Sequence, residues 1–177
     1  HRDLHSYPTR RSSDLDGWLT ADEIPAERPV EPIDYGALYN ERPVVLKKAA
    51  DRLLASPSPA YEAFCHEHSF WLEDYALFMA VKAAQGQAGL ADWPNALRCR
   101  EPEAIAAAKA ELAGSIDYYK AVQFFFYTQW SALKAYANAK GIRLVGDIPI
   151  YVSPDSSDLW THPELFPTDG TMHLPQV

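Results

Sequence analysis

The strongest constraint on what this chain can fold into is the run Gly141-Ile-Arg-Leu-Val-Gly-Asp-Ile-Pro-Ile-Tyr-Val152, followed by Ser153-Pro-Asp-Ser-Ser-Asp-Leu-Trp160. Ile142, Leu144 and Val145 are apolar and mostly β-branched, set between a glycine and a polar turn. A run with so little alternation reads as a buried strand of a parallel sheet, covered on both faces. Asp147 interrupts it near its C-terminal end. A carboxylate there is too costly to bury unless partners or a ligand compensate it. In α/β folds the C-terminal ends of parallel strands are where ligands bind and chemistry is placed. Asp147 is therefore the first candidate site residue. The plainer reading is an aspartate that hydrogen-bonds the loop after it.

The residues before this run explain how the chain reaches it. Glu101-Pro102 opens what reads as the longest helix. From Ile116 the residues Tyr119, Gln123, Phe126, Trp130, Leu133 and Ala137 follow at steps of three and four, which predicts one buried face. Phe124, Phe125 and Tyr127 widen that face. Gly114 is expected to weaken or bend the helix, at about 1 kcal/mol relative to alanine. Gly141 is the expected glycine stop. Helix, glycine, strand and polar loop together make half of a βα repeat.

Further upstream, Phe70 to Val81 predicts a buried helix with Trp71, Tyr75, Phe78 and Val81 on its stripe, broadened by Leu72, Leu77 and Met79. Glu73 and Asp74 are placed in its first turn, where negative charge suits the helix dipole. Gly86, Gly89, Asp92 and Pro94 make the following loop, in which Trp93 reads as an anchor rather than a sugar platform. Pro43 to Leu54 turns helical, with Val45, Ala49 and Leu53 inward. Ser56 or Ser58 caps the next helix, which starts at Pro59. Residues 16–44 carry Pro25, Pro29, Pro32 and Pro43, so an irregular connection is expected, with a short helix near Tyr35 to Tyr39. Residues 1–15 are basic, rich in Ser and Arg, and nearly without apolar side chains. They are expected to be a disordered or artefactual leader, with residues 16–177 forming the domain.

Composition narrows the function. Of the 177 residues 47% are hydrophobic, enough for a sizeable core, and 12% are aromatic. The net charge of -8 repels phosphate backbones and anionic lipid, so nucleic acid and membrane surfaces are poor partners. A neutral substrate fits better, and the wealth of Trp and Tyr points weakly to sugar. No apolar run reaches the roughly 18 residues of a membrane span. Cys65 and Cys99 lie in no metal spacing and are expected to be reduced thiols in a cytoplasmic protein. His162 and His173 have no second ligand at metal spacing, so neither a metal nor a cofactor is expected. Glycine-rich phosphate loops and the GxSxG nucleophile motif are missing as well.

Three separated phrases, WLEDYALFMA (Trp71 to Ala80), QFFFYTQWSALKAYANAKGIRLVGDIPIYV (Gln123 to Val152) and DSSDLWTHPELF (Asp155 to Phe166), carry a resemblance. In order and spacing they resemble the bacterial 4-alpha-glucanotransferases, or amylomaltases, of glycoside hydrolase family 77, from about Asp34 to the C-terminus. The resemblance implies an α/β fold, an incomplete (β/α)8 TIM-type barrel segment that is mostly helical here, with Leu144 to Val152 as the third barrel strand. It implies transfer of alpha-1,4-glucan segments to glucose or another glucan by a retaining double displacement. That reaction uses two carboxyl groups about 5 to 5.5 Å apart. In the family, nucleophile, acid and stabiliser belong to later motifs that find no match here, so no catalytic residue is assigned. The matching site residue is Asp147, expected to order the sugar-binding subsite by hydrogen bonds. Tyr151, Asp155, Ser156, Asp158 and Trp160, in the adjoining loop, are implied to be donor-site wall or structural residues. Alpha-1,4-glucan oligosaccharides and glucose are the implied partners.

The chain is accordingly expected to be a fragment, inactive as a transferase by itself. Two other readings stand beside this one. The first is an alpha-glucan hydrolase fragment of the amylase clan, since the residues that set water against sugar as acceptor are not in this sequence. The second is a non-catalytic helical interaction module whose aromatic residues are all core.

Overall fold

The computed structural model describes residues 17–23, 35–147 and 151–167. The expected leader, His173, and the middle of the expected strand at 148–150 lie outside them. Among the described residues the regular structure is helical: α1 (Tyr35–Ala55), α2 (Pro59–Glu67), α3 (Ser69–Ala84), α4 (Asn95–Arg98), α5 (Pro102–Glu111), α6 (Ala113–Ala139) and α7 (Ser157–Thr161), with 3-10 turns at Ala21–Glu23, Leu90–Asp92 and Pro163–Leu165. They form two compact units, one from His1–Cys65 and Ala121–Val145, the other from His66–Lys120 and Gly146–Val177.

In the first unit, α1 buries Leu46, Ala49, Ala50 and Leu53 at the three-and-four spacing of one helix face. The expected break at Pro43 does not occur, and α1 runs through it from Tyr35. Proline forfeits one hydrogen bond to the carbonyl four residues back. Tyr39, which loses that bond, is exposed, so water can satisfy its carbonyl. The start of α2 is as expected: Pro59 takes the first helical position and Ser58 Oγ accepts from the Tyr61 N–H at 3.2 Å. Trp18 packs on Phe125 and Phe124 at ring-centroid distances of 4.8 and 5.8 Å, and Tyr61 and Phe64 meet Phe124 at 5.4 and 5.6 Å. Arg52 ties residues 17–23 to α1, donating to both Glu23 carboxylate oxygens and to the Trp18 carbonyl at 2.7 Å.

That ring cluster fixes which side of α6 faces inward, and it corrects the expected stripe. Ile116 and Ala137 are buried as predicted, but the middle of the helix buries Ala121, Phe124, Phe125 and Gln129. Phe126, Trp130 and Leu133 are exposed. Three consecutive phenylalanines satisfy the helical period in more than one phase, and the partners Trp18, Tyr61 and Phe64 select the phase. The upstream end is also corrected. The expected single helix from Pro102 is two, α5 and α6, parted at Leu112 rather than bent at Gly114.

The stop at Gly141 is as expected. Its φ is +75°, its N–H donates to the Asn138 carbonyl, and the Ile142 N–H donates to the Ala137 carbonyl at 3.0 Å. That pair of bonds is the Schellman motif. Beyond it the expectation fails. Residues 142–147 form no strand, and Val145 is 94% exposed. A parallel strand is held by hydrogen bonds to its neighbours, and among the described residues there is no strand to pair with. The mostly helical character expected of the chain is thus borne out, and the expected barrel strand is not formed among the described residues.

The second unit has its own core. Ala76, Leu77, Phe78, Ala80 and Val81 of α3 pack with Leu90, Trp93, Ala108, Ile116, Leu159 and Trp160. Glu73 and Asp74 lie beyond the first turn of α3 and act through ion pairs instead of the dipole, with Lys120 at 2.6 Å and Arg100 at 2.7 Å. Trp93 is the anchor its position suggested. It is buried against Phe78 and Trp160 at 5.2 and 5.4 Å, and its Nε1–H donates to the Ala88 carbonyl.

Candidate functional site

The loop from Tyr151 to Thr161 is built outward from that aromatic core. Trp160 has no exposed surface. Its Nε1–H donates to the Leu97 carbonyl at 2.9 Å, and the Arg100 guanidinium lies 4.4 Å above its ring. Arg100 adopts φ +54°, at a position after α4 where glycine is usual. Its N–H bonds the Leu97 carbonyl and the next N–H bonds that of Ala96, so the turn is another Schellman stop. Stacking on Trp160 and pairing with Asp74 offset the cost of the left-handed backbone.

Ser156 caps α7: its Oγ accepts from the Leu159 N–H at 3.2 Å. Asp155 precedes it and is fixed from two sides. Lys82 Nζ pairs with Oδ2, and the Leu90 N–H donates to Oδ1 at 3.1 Å. The Asp155 N–H in turn donates to Ser153 Oγ at 3.1 Å. Asp158 is exposed in the first turn of α7, where a carboxylate suits the helix N-terminus. His162 Nδ1 lies 3.2 Å from Glu164 Oε1 on the surface. Glu164's carboxyl is held below its ordinary value first by its own backbone N–H and then by His162.

The six candidates thus divide. Asp155, Ser156 and Trp160 are brought together in one hydrogen-bonded loop seated on the core. Asp147 and Tyr151 stand in water, Tyr151 at 89% exposure, on either side of residues 148–150. Asp147 has no hydrogen-bond or ion-pair partner among the described residues. Lys82 and Arg100 were not singled out from the sequence. Their partners lie 73 and 26 residues away, and no local pattern announces such pairings. Among the described residues no three His, Cys, Asp or Glu side chains are grouped to hold a metal ion.

The chain as a whole has known counterparts. The sequence model of glycoside hydrolase family 77, 4-alpha-glucanotransferase, matches residues 5–175, and the chain belongs to that family. It is 45% identical over 141 residues to the 4-alpha-glucanotransferase of Thermus thermophilus, covering 77% of this chain and 28% of that protein. To the chloroplastic/amyloplastic 4-alpha-glucanotransferase of Solanum tuberosum it is 34% identical over 156 residues, covering 85% of this chain and 27% of that protein. Its structure matches an amylomaltase from Streptococcus agalactiae, solved in complex with acarbose, with a TM-score of 0.84 at 39% identity. That match covers 92% of this chain and 34% of the amylomaltase. The chain spans little more than a quarter of the length of the curated relatives it matches.

Proposed function

We propose that this chain contributes the donor-side rim of a 4-alpha-glucanotransferase acting on alpha-1,4-glucan oligosaccharides such as those from starch or maltodextrin, with glucose or another glucan as acceptor. The observation that carries the reading is the family match over residues 5–175 together with the TM-score of 0.84 to an amylomaltase. In this reading residues 144–152 become an inner strand of a (β/α)8 barrel once neighbouring strands pair with them. The exposure of Ile142, Leu144 and Val145, and of Phe126, Trp130 and Leu133 on α6, supports it, because apolar surface of that kind is what barrel packing covers. Cys65 and Cys99 are not joined in a disulfide, which fits a reducing, cytoplasmic setting.

The chemistry asked of such a protein is a retaining displacement between two carboxyl groups about 5 to 5.5 Å apart. The acids described here are not assigned to it. Asp155 is engaged by Lys82 and Leu90, and Asp158 lies at a helix start. Asp147 accepts hydrogen bonds from a sugar ring, and Tyr151 offers an exposed ring to its apolar face. Asp155, Ser156 and Trp160 hold the loop, and Asp158 stands on its outer side.

The test is product analysis of the intact protein bearing this sequence, incubated with maltotriose. A ladder of longer and shorter oligosaccharides, biased by added glucose, is the expected result. Shorter products alone would assign a hydrolase instead. No turnover would leave the helical interaction module. Asp147→Asn is expected to lower turnover by about tenfold to a hundredfold, the range of one hydrogen bond to a charged group, with an unchanged melting temperature.

A further inference from the structure

The carboxylate of Asp155 has both oxygens occupied by donors from elsewhere in the second unit. Lys82 belongs to the last turn of α3, where a cation is favoured by the helix dipole. Just past it the Gly86 N–H bonds the Ala83 carbonyl and the Gln87 N–H bonds that of Lys82, which fixes the reversal leading to Leu90. Lys82 Nζ takes Oδ2 and the Leu90 N–H takes Oδ1, so two elements determine both the place and the rotation of one carboxylate. Lys82 is 18% and Asp155 33% exposed at the side chain, so the pair is partly withdrawn from water. It is less weakened by screening than a surface pair. Lys82 Nζ also lies 6.0 Å from the ring centre of Phe78, a core residue. From Asp155 the restraint passes along the backbone, to Ser153 through its own N–H and to Ser156, the cap of α7.

We infer that Lys82 is a positioning residue for glucan binding: by fixing Asp155 it holds residues 151–158 in the conformation that presents Tyr151 to the sugar. The inference rests on the proposed glucan site, and its test separates the two. Lys82→Met keeps most of the aliphatic stem and removes the charge, Lys82→Arg restores a cation, and Lys120→Met breaks the unrelated pair with Glu73 as a control for general loosening. The intact protein bearing this sequence and each variant are compared by hydrogen-exchange mass spectrometry over residues 151–161 and by calorimetric titration with maltoheptaose.

Lys82→Met is expected to speed exchange over 151–161 and weaken maltoheptaose binding about tenfold, a difference of roughly 1.4 kcal/mol. Lys82→Arg should recover most of both effects, and Lys120→Met should show neither. Unchanged exchange in Lys82→Met would overturn the inference. So would faster exchange with unchanged affinity, since the pair would then order a loop that binding does not use. If the unsubstituted protein fails to bind maltoheptaose, the glucan reading falls and takes Lys82's role in binding with it. The exchange data then still report whether Lys82 orders the loop.

Discussion

Trp160 is where the core and the proposed site compete for one side chain, and its replacement separates the two roles. The ring is wholly enclosed, packed on Trp93 at 5.4 Å and Phe78 at 5.8 Å, with Arg100 at 4.4 Å above it and its N–H spent on the Leu97 carbonyl. Trp160→Phe keeps an aromatic ring but removes one of that carbonyl's two donors, the other being the Arg100 N–H, and leaves part of the indole's volume empty, a loss of about 1–2 kcal/mol. The weaker attraction of a phenyl ring for Arg100 adds about 0.5–1 kcal/mol. Trp160→Ala removes the whole ring and should cost about 3–5 kcal/mol. Against a total stability of about 5–15 kcal/mol, the alanine variant should be largely unfolded near physiological temperature if the chain lies at the low end. The phenylalanine variant should melt roughly 3–12 °C lower. Urea denaturation followed by far-UV ellipticity is the assay, because fluorescence would lose one of its five tryptophans. Affinity for maltoheptaose in Trp160→Phe should stay within about twofold. A stability loss under about 0.5 kcal/mol with a tenfold weaker affinity would refute this reasoning and make the ring a sugar wall.

Two further predictions concern the first unit. The Glu23 carboxyl is held well below its ordinary value near 4.5, first by hydrogen bonds from Arg52 and then by the Thr20 backbone N–H. A carboxylate whose folded pKa is depressed contributes stability that is full above its unfolded value and is lost as pH falls through the folded one. The tie between residues 17–23 and α1 should therefore weaken only in acid below pH 4.5. In a carbon-detected NMR titration Glu23 should ionise well below 4.5, and Arg52→Gln should return it towards that value. A Glu23 midpoint at 4.5 or above would count against the ion pair. Gly141→Ala places a Cβ where no atom lies within 4 Å, so its cost is purely that of the backbone at φ +75°. A loss of about 1–2 kcal/mol is expected, read as a fall of roughly 2–8 °C in thermal melting, and an unchanged melt would dismiss the Schellman stop.

The features legible in the sequence are those settled within a few residues of themselves. Ser58 and Pro59 start a helix because one hydroxyl and one fixed φ suffice. Gly141 stops one because only its own φ is at stake. Trp93 could be placed as an anchor because the turn around it leaves a large apolar ring nowhere else to go. The misplaced face of α6 has a different origin. Phe124, Phe125 and Phe126 offer more than one stripe, and the choice between them is made by Trp18, in a segment whose prolines gave no sign of a packed role. The hold of Lys82 on Asp155 is hidden for the same reason, since each end looks locally like an ordinary solvated charge.

The strand expected over residues 142–152 is the sharpest case, because its sequence reading and its observed conformation follow from one physical condition. A helix satisfies its backbone from within, whereas a parallel strand takes every ladder bond from another segment. Apolar β-branched residues such as Ile142 and Val145 record how such a strand is packed, on both faces, but cannot supply the neighbour that packs it. The helices of this family member therefore form from the residues present, and residues 142–147 stay irregular and exposed beside them. The same condition governs Asp147. A carboxylate at a strand end becomes a ligand-ordering group only when adjacent strands bring polar partners to it, and in water it is one more hydrated charge. Pairing of 142–147 with a neighbouring strand and engagement of Asp147 should thus appear together. Backbone protection of 142–147 in the intact protein, without any effect of Asp147→Asn on turnover, would show that the two are separable and that the strand alone was read correctly.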